Sequence, residues 1–219
     1  YKRQAQYQLV TAVFIAALAP TPAVHAADGL TGVSSVRALA DDRTLGASQE
    51  ATISRFAEEA GRALSARNPS EDHLEAVRID LMAPLSGGCT PAFARAYGAR
   101  LLEAFGEYDN DSRTPQQQMI AFSVLSATGS SASLLDLAER IVDLDSETAA
   151  WKPMAMCQTL SQGVAKATTL DLAERNRSDL ARIFGRIASR VSPSANRHVM
   201  EGFVMLGGGE REDIARRWA

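Results

Sequence analysis

Two cysteines and three histidines are all that the 219 residues offer of the side chains most used in metal, redox and nucleophilic chemistry. Cys-x-x-Cys and His-Glu-x-x-His are both missing, which excludes the common zinc and thiol-redox motifs. Gly-x-Ser-x-Gly and a P-loop are missing too, so neither a hydrolase elbow nor a phosphate cradle is written in the chain. Basic excess is also lacking. Against 26 Asp+Glu stand 23 Lys+Arg, a formal −3, and without a positive field there is no counterion release to drive nucleic-acid binding. The longest apolar run, Leu9 to Ala19, is 11 residues, well short of the ~20 that cross a bilayer. From Ala47 on, no segment alternates apolar and polar residues for long enough to read as a strand. What remains is a composition of 46% apolar and 22% charged residues, that of an ordinary globular protein long enough for one domain or two small ones.

The N-terminus reads as an address rather than as fold. Lys2 and Arg3 precede the apolar run, Pro20 and Pro22 follow it, and Val24-His25-Ala26 supplies small residues where a signal peptidase requires them. The sequence predicts a secretory signal peptide over residues 1–26, cleaved near Ala26, with export to the periplasm or beyond. The alternative is an N-terminal membrane anchor. Cleavage would remove Lys2, Arg3 and His25 but no acid, moving the formal charge from −3 to −5 and leaving only His73 and His198. No membrane span is expected in the mature chain, and no block of Lys or Arg invites anionic lipid. A first residue other than Met and a final segment without a capping Gly or Asn are expected of a piece of a longer envelope protein, truncated at its C-terminus. Residues 27–46, rich in Gly, Ser and Asp, are predicted to be a linker or flexible arm with at most a short helix near 35–40. Residues 47–219 are predicted to be a helical domain.

The helix signals in that domain are strong. Ile53, Phe56, Ala57, Ala60 and Leu64 recur at helical spacing, and Asn68-Pro69-Ser70 ends one helix and caps the next. Thr90-Pro91 and Thr114-Pro115 each join an N-cap to a proline at the first helical position. Further helices are predicted over 131–142, 148–163, 169–190, 194–206 and from 210 to the end. Short polar links between them imply antiparallel neighbours. Leu-Asp-Leu-Ala-Glu-Arg occurs at 135–140 and again at 170–175, and helix pairs beginning near Pro91, Ser131 and Thr169 would repeat every 38 to 40 residues. In that spacing the chain resembles HEAT- and TPR-style α-solenoids, although the TPR pattern of Trp, Leu-Gly and Tyr is absent. The fold expected is all-α: antiparallel helix pairs, stacked as a solenoid or gathered as an irregular bundle.

Few residues invite chemistry. His73 lies in the first turn of a helix and reads as a surface histidine. His198 and Glu201, three apart, share a helix face and form either a weak acid–base or metal pair or a surface ion pair. Asp109-Asn110-Asp111-Ser112 resembles the opening of a calcium loop, but Arg113 and Thr114 occupy its fifth and sixth positions and Ile120 its twelfth. A polar helix–helix turn fits better. Gly207-Gly208-Gly209 has no strand leading into it and no Lys or Thr after it, so it reads as a link. The glycosylation sequons at Asn110 and Asn176 carry little weight. Cys89 and Cys157 invite a disulfide in an oxidising compartment, while Cys157 among Met154, Met156 and Leu160 suits a buried thiol equally well. Phe93, Tyr97, Phe105 and Trp151 would line a pocket between helices or, more often at such spacing, build core.

No catalytic residue, cofactor or metal is predicted. The expected function is that of an exported helical-repeat-like protein binding or scaffolding a protein or peptide partner. The alternative is an all-α enzyme or small-ligand carrier.

Overall fold

Thr90 and Thr114 start two helices by the same chemistry. In the computed structural model, which describes residues 29–145, 148–170 and 172–207, each hydroxyl accepts from the amide three residues on. Phe93 N–H donates to one and Gln117 N–H to the other, both at 3.3 Å. The Gln117 amide oxygen returns the favour at Thr114 N–H, 2.7 Å away, completing a capping box. Ser70 caps its helix through His73 N–H at 3.2 Å. These starts satisfy amides that the first helical turn leaves without partners.

Nine α-helices follow in order among the described residues: α1 Val33–Arg37, α2 Ala47–Leu64, α3 Glu71–Met82, α4 Pro91–Phe105, α5 Pro115–Ala127, α6 Ser131–Asp143, α7 Trp151–Thr169, α8 Glu174–Ala188 and α9 Pro193–Leu206. A 3₁₀ turn, Ala83–Leu85, extends α3, and no strand occurs among these residues. From α2 onward each helix packs chiefly on the helix two places along the chain. Two rows result, α2–α4–α6–α8 and α3–α5–α7–α9. Short links make successive helices antiparallel, so helices within a row run parallel. The architecture is all-helical and solenoid-like.

Glycine sets how closely the rows stack. A Cβ on Gly61 of α2 would lie 2.5 Å from the Ala104 carbonyl oxygen on α4. On Gly98 of α4 it would meet Ser130 Cβ at 2.6 Å and Ser133 Oγ at 2.9 Å, at the start of α6. Gly163 of α7 faces Ser126 Oγ of α5 at 2.6 Å, and Gly202 of α9 faces the Ser161 Cα of α7 at 3.2 Å. Four of the six contacts within the rows therefore place glycine against a small residue, which lets helix backbones approach closely.

Row-mates in the first row begin at Ala47, Pro91, Ser131 and Glu174, spacings of 44, 40 and 43 residues; in the second row the spacings are 44, 36 and 42. Five of the six fall within the 40–47 residues of HEAT-like units, and the sixth, 36, lies nearer the 34 of TPR units. The pair starts at Pro91 and Ser131 match expectation, but Thr169 closes α7 and the next pair opens at Glu174. The six-residue echo is consequently no repeat signal. Its first copy lies within α6, whereas its second runs from the end of α7 across the link into α8.

The segment expected to be a linker behaves differently from Gly29 on. Leu30, Val36 and Ala40 are buried in the same core as α2 and α3. Leu30 N–H donates to the buried Asp80 carboxylate at 2.7 Å, while Thr31 binds Glu59 through both N–H (2.9 Å) and hydroxyl (2.6 Å). Thr90 ties down the far end, donating its N–H to Ala40 C=O at 2.8 Å and its hydroxyl to Asp42 C=O at 2.6 Å. Three apolar side chains and five polar anchors make this segment a cap over the first helix pair, as stacked repeats require at an end. The predicted signal peptide and the helix predicted after residue 209 lie outside the described residues.

Candidate functional site

The rings that could have lined a pocket are packed together. Phe93 stacks on Tyr97 with centroids 5.3 Å apart, Phe56 tilts against Tyr97 at 6.3 Å, and Phe93, Tyr97 and Phe105 have no solvent exposure. Burial, aided by Asp80, pushes the Tyr97 hydroxyl well above its ordinary range, and its proton goes to the Leu81 carbonyl at 2.9 Å. Trp151 is half-buried against the same core. All four are packing residues.

Cys89 and Cys157 are free thiols. Cys89 is half-buried and Cys157 is buried in the core. His198 and Glu201 do meet, Nδ1 to Oε2 at 3.1 Å, and Arg197 Nε binds the same carboxylate at 3.1 Å. The His198 hydrogen bond, then Arg197, hold Glu201 below the ordinary glutamate range. With Glu201 43% exposed this is a solvated ion-pair group. No group of three or more His, Cys, Asp and Glu among the described residues is placed to hold a metal ion, and no described helix is long and apolar enough to cross a membrane.

The loop between α4 and α5 carries the densest polar network. Tyr108, one turn beyond the α4 aromatic stripe, is fully buried and donates its hydroxyl to Asp136 at 2.7 Å. Arg140 lies over the Tyr108 ring, 4.4 Å from its centroid, and binds Asp136 (2.8 Å), Asp109 and the Gly106 carbonyl. Burial first, then the Asp136 charge, raises the Tyr108 hydroxyl far out of its usual range. Lys152 reaches in from the start of α7 to the Asp109 carbonyl and to Asp111 at 3.0 Å. The two aspartates that suggested a calcium loop are thus served by the protein's own cations. This network clasps α6 and α7 to the loop.

A different feature divides the surface. Exposed charges such as Arg55, Glu58, Arg95, Glu139, Arg182 and Arg186 sit on every helix of the first row, and Glu71, Asp72, Glu75, Arg197 and Glu201 on the outer helices α3 and α9 of the second. In the second row, α5 has no charged residue at all, and α7 has only Lys152, drawn into the clasp, and Lys166. The solvent side of α5 is Gln116, Met119, Ser123 and Ala127; that of α7 includes Met154, Gln158, Gln162 and Ala165. Ile79 on α3 and Val204 and Met205 on α9, each 46% exposed, flank this strip, and they are the large hydrophobics most exposed among the described residues. Ser126 Oγ donates to the Thr159 carbonyl, fixing the register of α5 on α7. Neither the strip nor the clasp is visible in a motif search. The missing charge in α5 was the available signal, but a buried helix lacks charge for the same reason.

The chain matches no protein-family model, no curated protein and no solved structure.

Proposed function

We propose that the protein is an exported, helical-repeat-like binding or scaffolding protein of the cell envelope or periplasm, and that it holds a protein or peptide partner on the α3–α5–α7–α9 row. One observation carries the reading: every strongly exposed large hydrophobic among the described residues, Ile79, Val204 and Met205, lies on that row, on either side of α5, which has no charged residue, and α7, which has two. Apolar exposure confined to one row leaves that row the less solvated side of the stack. Stacked helical repeats offer such extended faces for binding. Export rests on the three-part pattern of residues 1–26.

Two measurements test the two halves. Envelope extract passed over the immobilised full chain should leave a protein retained by the wild type and lost from Ser123→Arg, which plants a charge in the strip. Equal retention by both overturns the assignment of the face. N-terminal sequencing of the protein recovered after expression should read from Ala27; a chain that keeps residues 1–26 overturns export by cleavage. The reading as an enzyme or small-ligand carrier draws no support from Phe93, Tyr97 and Phe105, whose faces are taken up by packing.

A further inference from the structure

Asp80 on α3 is a buried carboxylate without a countercharge among the described residues. It is 4% exposed. Its Oδ2 accepts Leu30 N–H at 2.7 Å, and no described Lys, Arg or His pairs with it. A carboxylate shut away from water is costly unless a cation or several donors hold it. The protein's other enclosed ionic groups have such partners: Lys152 meets Asp111, and Arg140 meets Asp109 and Asp136. One neutral amide is all that Asp80 receives, and its Oδ1 has no donor among the described residues.

The chain entering the fold runs directly past this carboxylate. A Cβ on Gly29 would lie 2.6 Å from Asp80 Oδ2, so only glycine brings the main chain so near. The residues that follow are pinned. Thr31 occupies both oxygens of Glu59, one through its N–H and the other through its hydroxyl. Glu59 is therefore already served, and Asp80 is the acid beside Gly29 with an oxygen to spare.

Cleavage after Ala26, the export step proposed above, makes Ala27 the first residue and turns its peptide nitrogen into an α-ammonium. Two residues span at most about 7 Å, so a pinned Gly29 keeps that charge within reach of Asp80. Asp28-Gly29 is a pair that turns readily. In the uncut chain the same nitrogen is a neutral amide with no charge to offer.

We infer that Asp80 is the receptor for the α-ammonium of Ala27, so that removal of residues 1–26 locks the segment from Gly29 to Asp42 onto α2 and α3 and completes the cap of the stack.

The test compares three proteins by hydrogen exchange and mass spectrometry: the full chain, the chain released from a fusion so that Ala27 comes first, and that same chain acetylated at its α-nitrogen. Removing residues 1–26 leaves every described residue in place. Amides of Leu30 to Asp42 should exchange about tenfold more slowly with the free amine than in the other two, while α5 and α7 exchange alike in all three. Asp80→Asn keeps an acceptor for Leu30 N–H and should bring the free-amine chain to the acetylated rate. Asp28→Asn should leave the difference in place. Equal exchange in the free and acetylated chains overturns the inference without need of any variant, and so does a difference that survives Asp80→Asn or vanishes with Asp28→Asn. N-terminal sequencing of exported protein that returns a first residue other than Ala27 overturns cleavage at Ala26, and the maturation step with it, independently of the exchange result.

Discussion

Gly163 and Gly185 are both helical, and only their surroundings separate them. A Cβ on Gly163 would come within 2.4 Å of Leu134 Cδ2 and 2.9 Å of the Ser126 carbonyl oxygen, whereas one on Gly185 meets nothing within 4 Å. Gly163→Ala must push α7 away from α5, and overpacking of that kind costs about 1–3 kcal/mol. Gly185→Ala should instead stabilise by about 0.5–1 kcal/mol, because alanine loses less backbone entropy in a helix. Urea unfolding of the two variants checks both signs, and equal shifts would contradict the stacking account. The cysteines separate in the same way. Burial pushes the Cys157 thiol up to about 12, and burial, opposed by Lys166, raises half-buried Cys89 as well. Both shifts are upward, so the folded state holds these protons more tightly than the unfolded chain. Their contribution to stability is complete below the unfolded thiol value of about 8.5 and fades as pH climbs through the folded values. A thiol reagent at pH 8 should modify Cys89 slowly in the native protein and Cys157 only when denaturant is present; one rapid step for both would contradict this burial.

Elements are joined by few side chains, and Arg140 is the busiest of them. It ties α6 to the α4–α5 loop through Asp136, Asp109 and Gly106, and it covers Tyr108. Arg140→Met strands two carboxylates. A quarter of the side chain meets solvent, so screening holds the cost to about 2 kcal/mol rather than that of a fully buried pair. Tyr108→Phe removes one hydrogen bond to Asp136 and should cost about 1 kcal/mol. Both changes act on Asp136, so the double variant should lose less than the sum; strict additivity would show that the clasp is not one network. None of this was readable in the sequence, where Asp136 and Arg140 look like any i,i+4 pair and Tyr108 lies beyond its helix. Caps were readable. Thr90, Thr114 and Ser70 each act on the backbone three residues away, and such local chemistry survives without knowledge of the fold. The packing of residues 29–46 was hidden for the converse reason. Gly, Ser and Asp signal loop locally, while the burial of Leu30, Val36 and Ala40 depends on α2 and α3 being there to cover them.

At the scale of the whole molecule, stacking in two rows makes stability a matter of neighbours. The central helices α5 and α7 are covered on most sides, with residues such as Ile120, Phe122, Leu125, Met156, Leu160 and Val164 buried, whereas α1 and α9 sit at the two ends of the described stack. Hydrogen exchange should accordingly be slowest at Phe122–Leu125 and Leu160–Val164 and faster in α1 and α9. Uniform protection from end to end would mean that the stack opens only as a whole.

The sequence by itself determined the class of this protein: helical periodicity, capping threonines and the lack of alternating segments exclude a sheet, because each depends on residues within one or two turns. It also supplied the near-regular length of the helix pairs and the meeting of His198 with Glu201. Only the tertiary structure decided which helices stack, that four glycines set their approach, that the aromatic rings close on one another, and that the two cysteines stay apart. It also placed α5, which has no charge, and α7, which has two, between the helices that expose Ile79 and Val204. The reason is physical. Periodicity states which side of a helix avoids water, but whether that side meets a neighbouring helix or is left for a partner depends on what the rest of the chain brings to it.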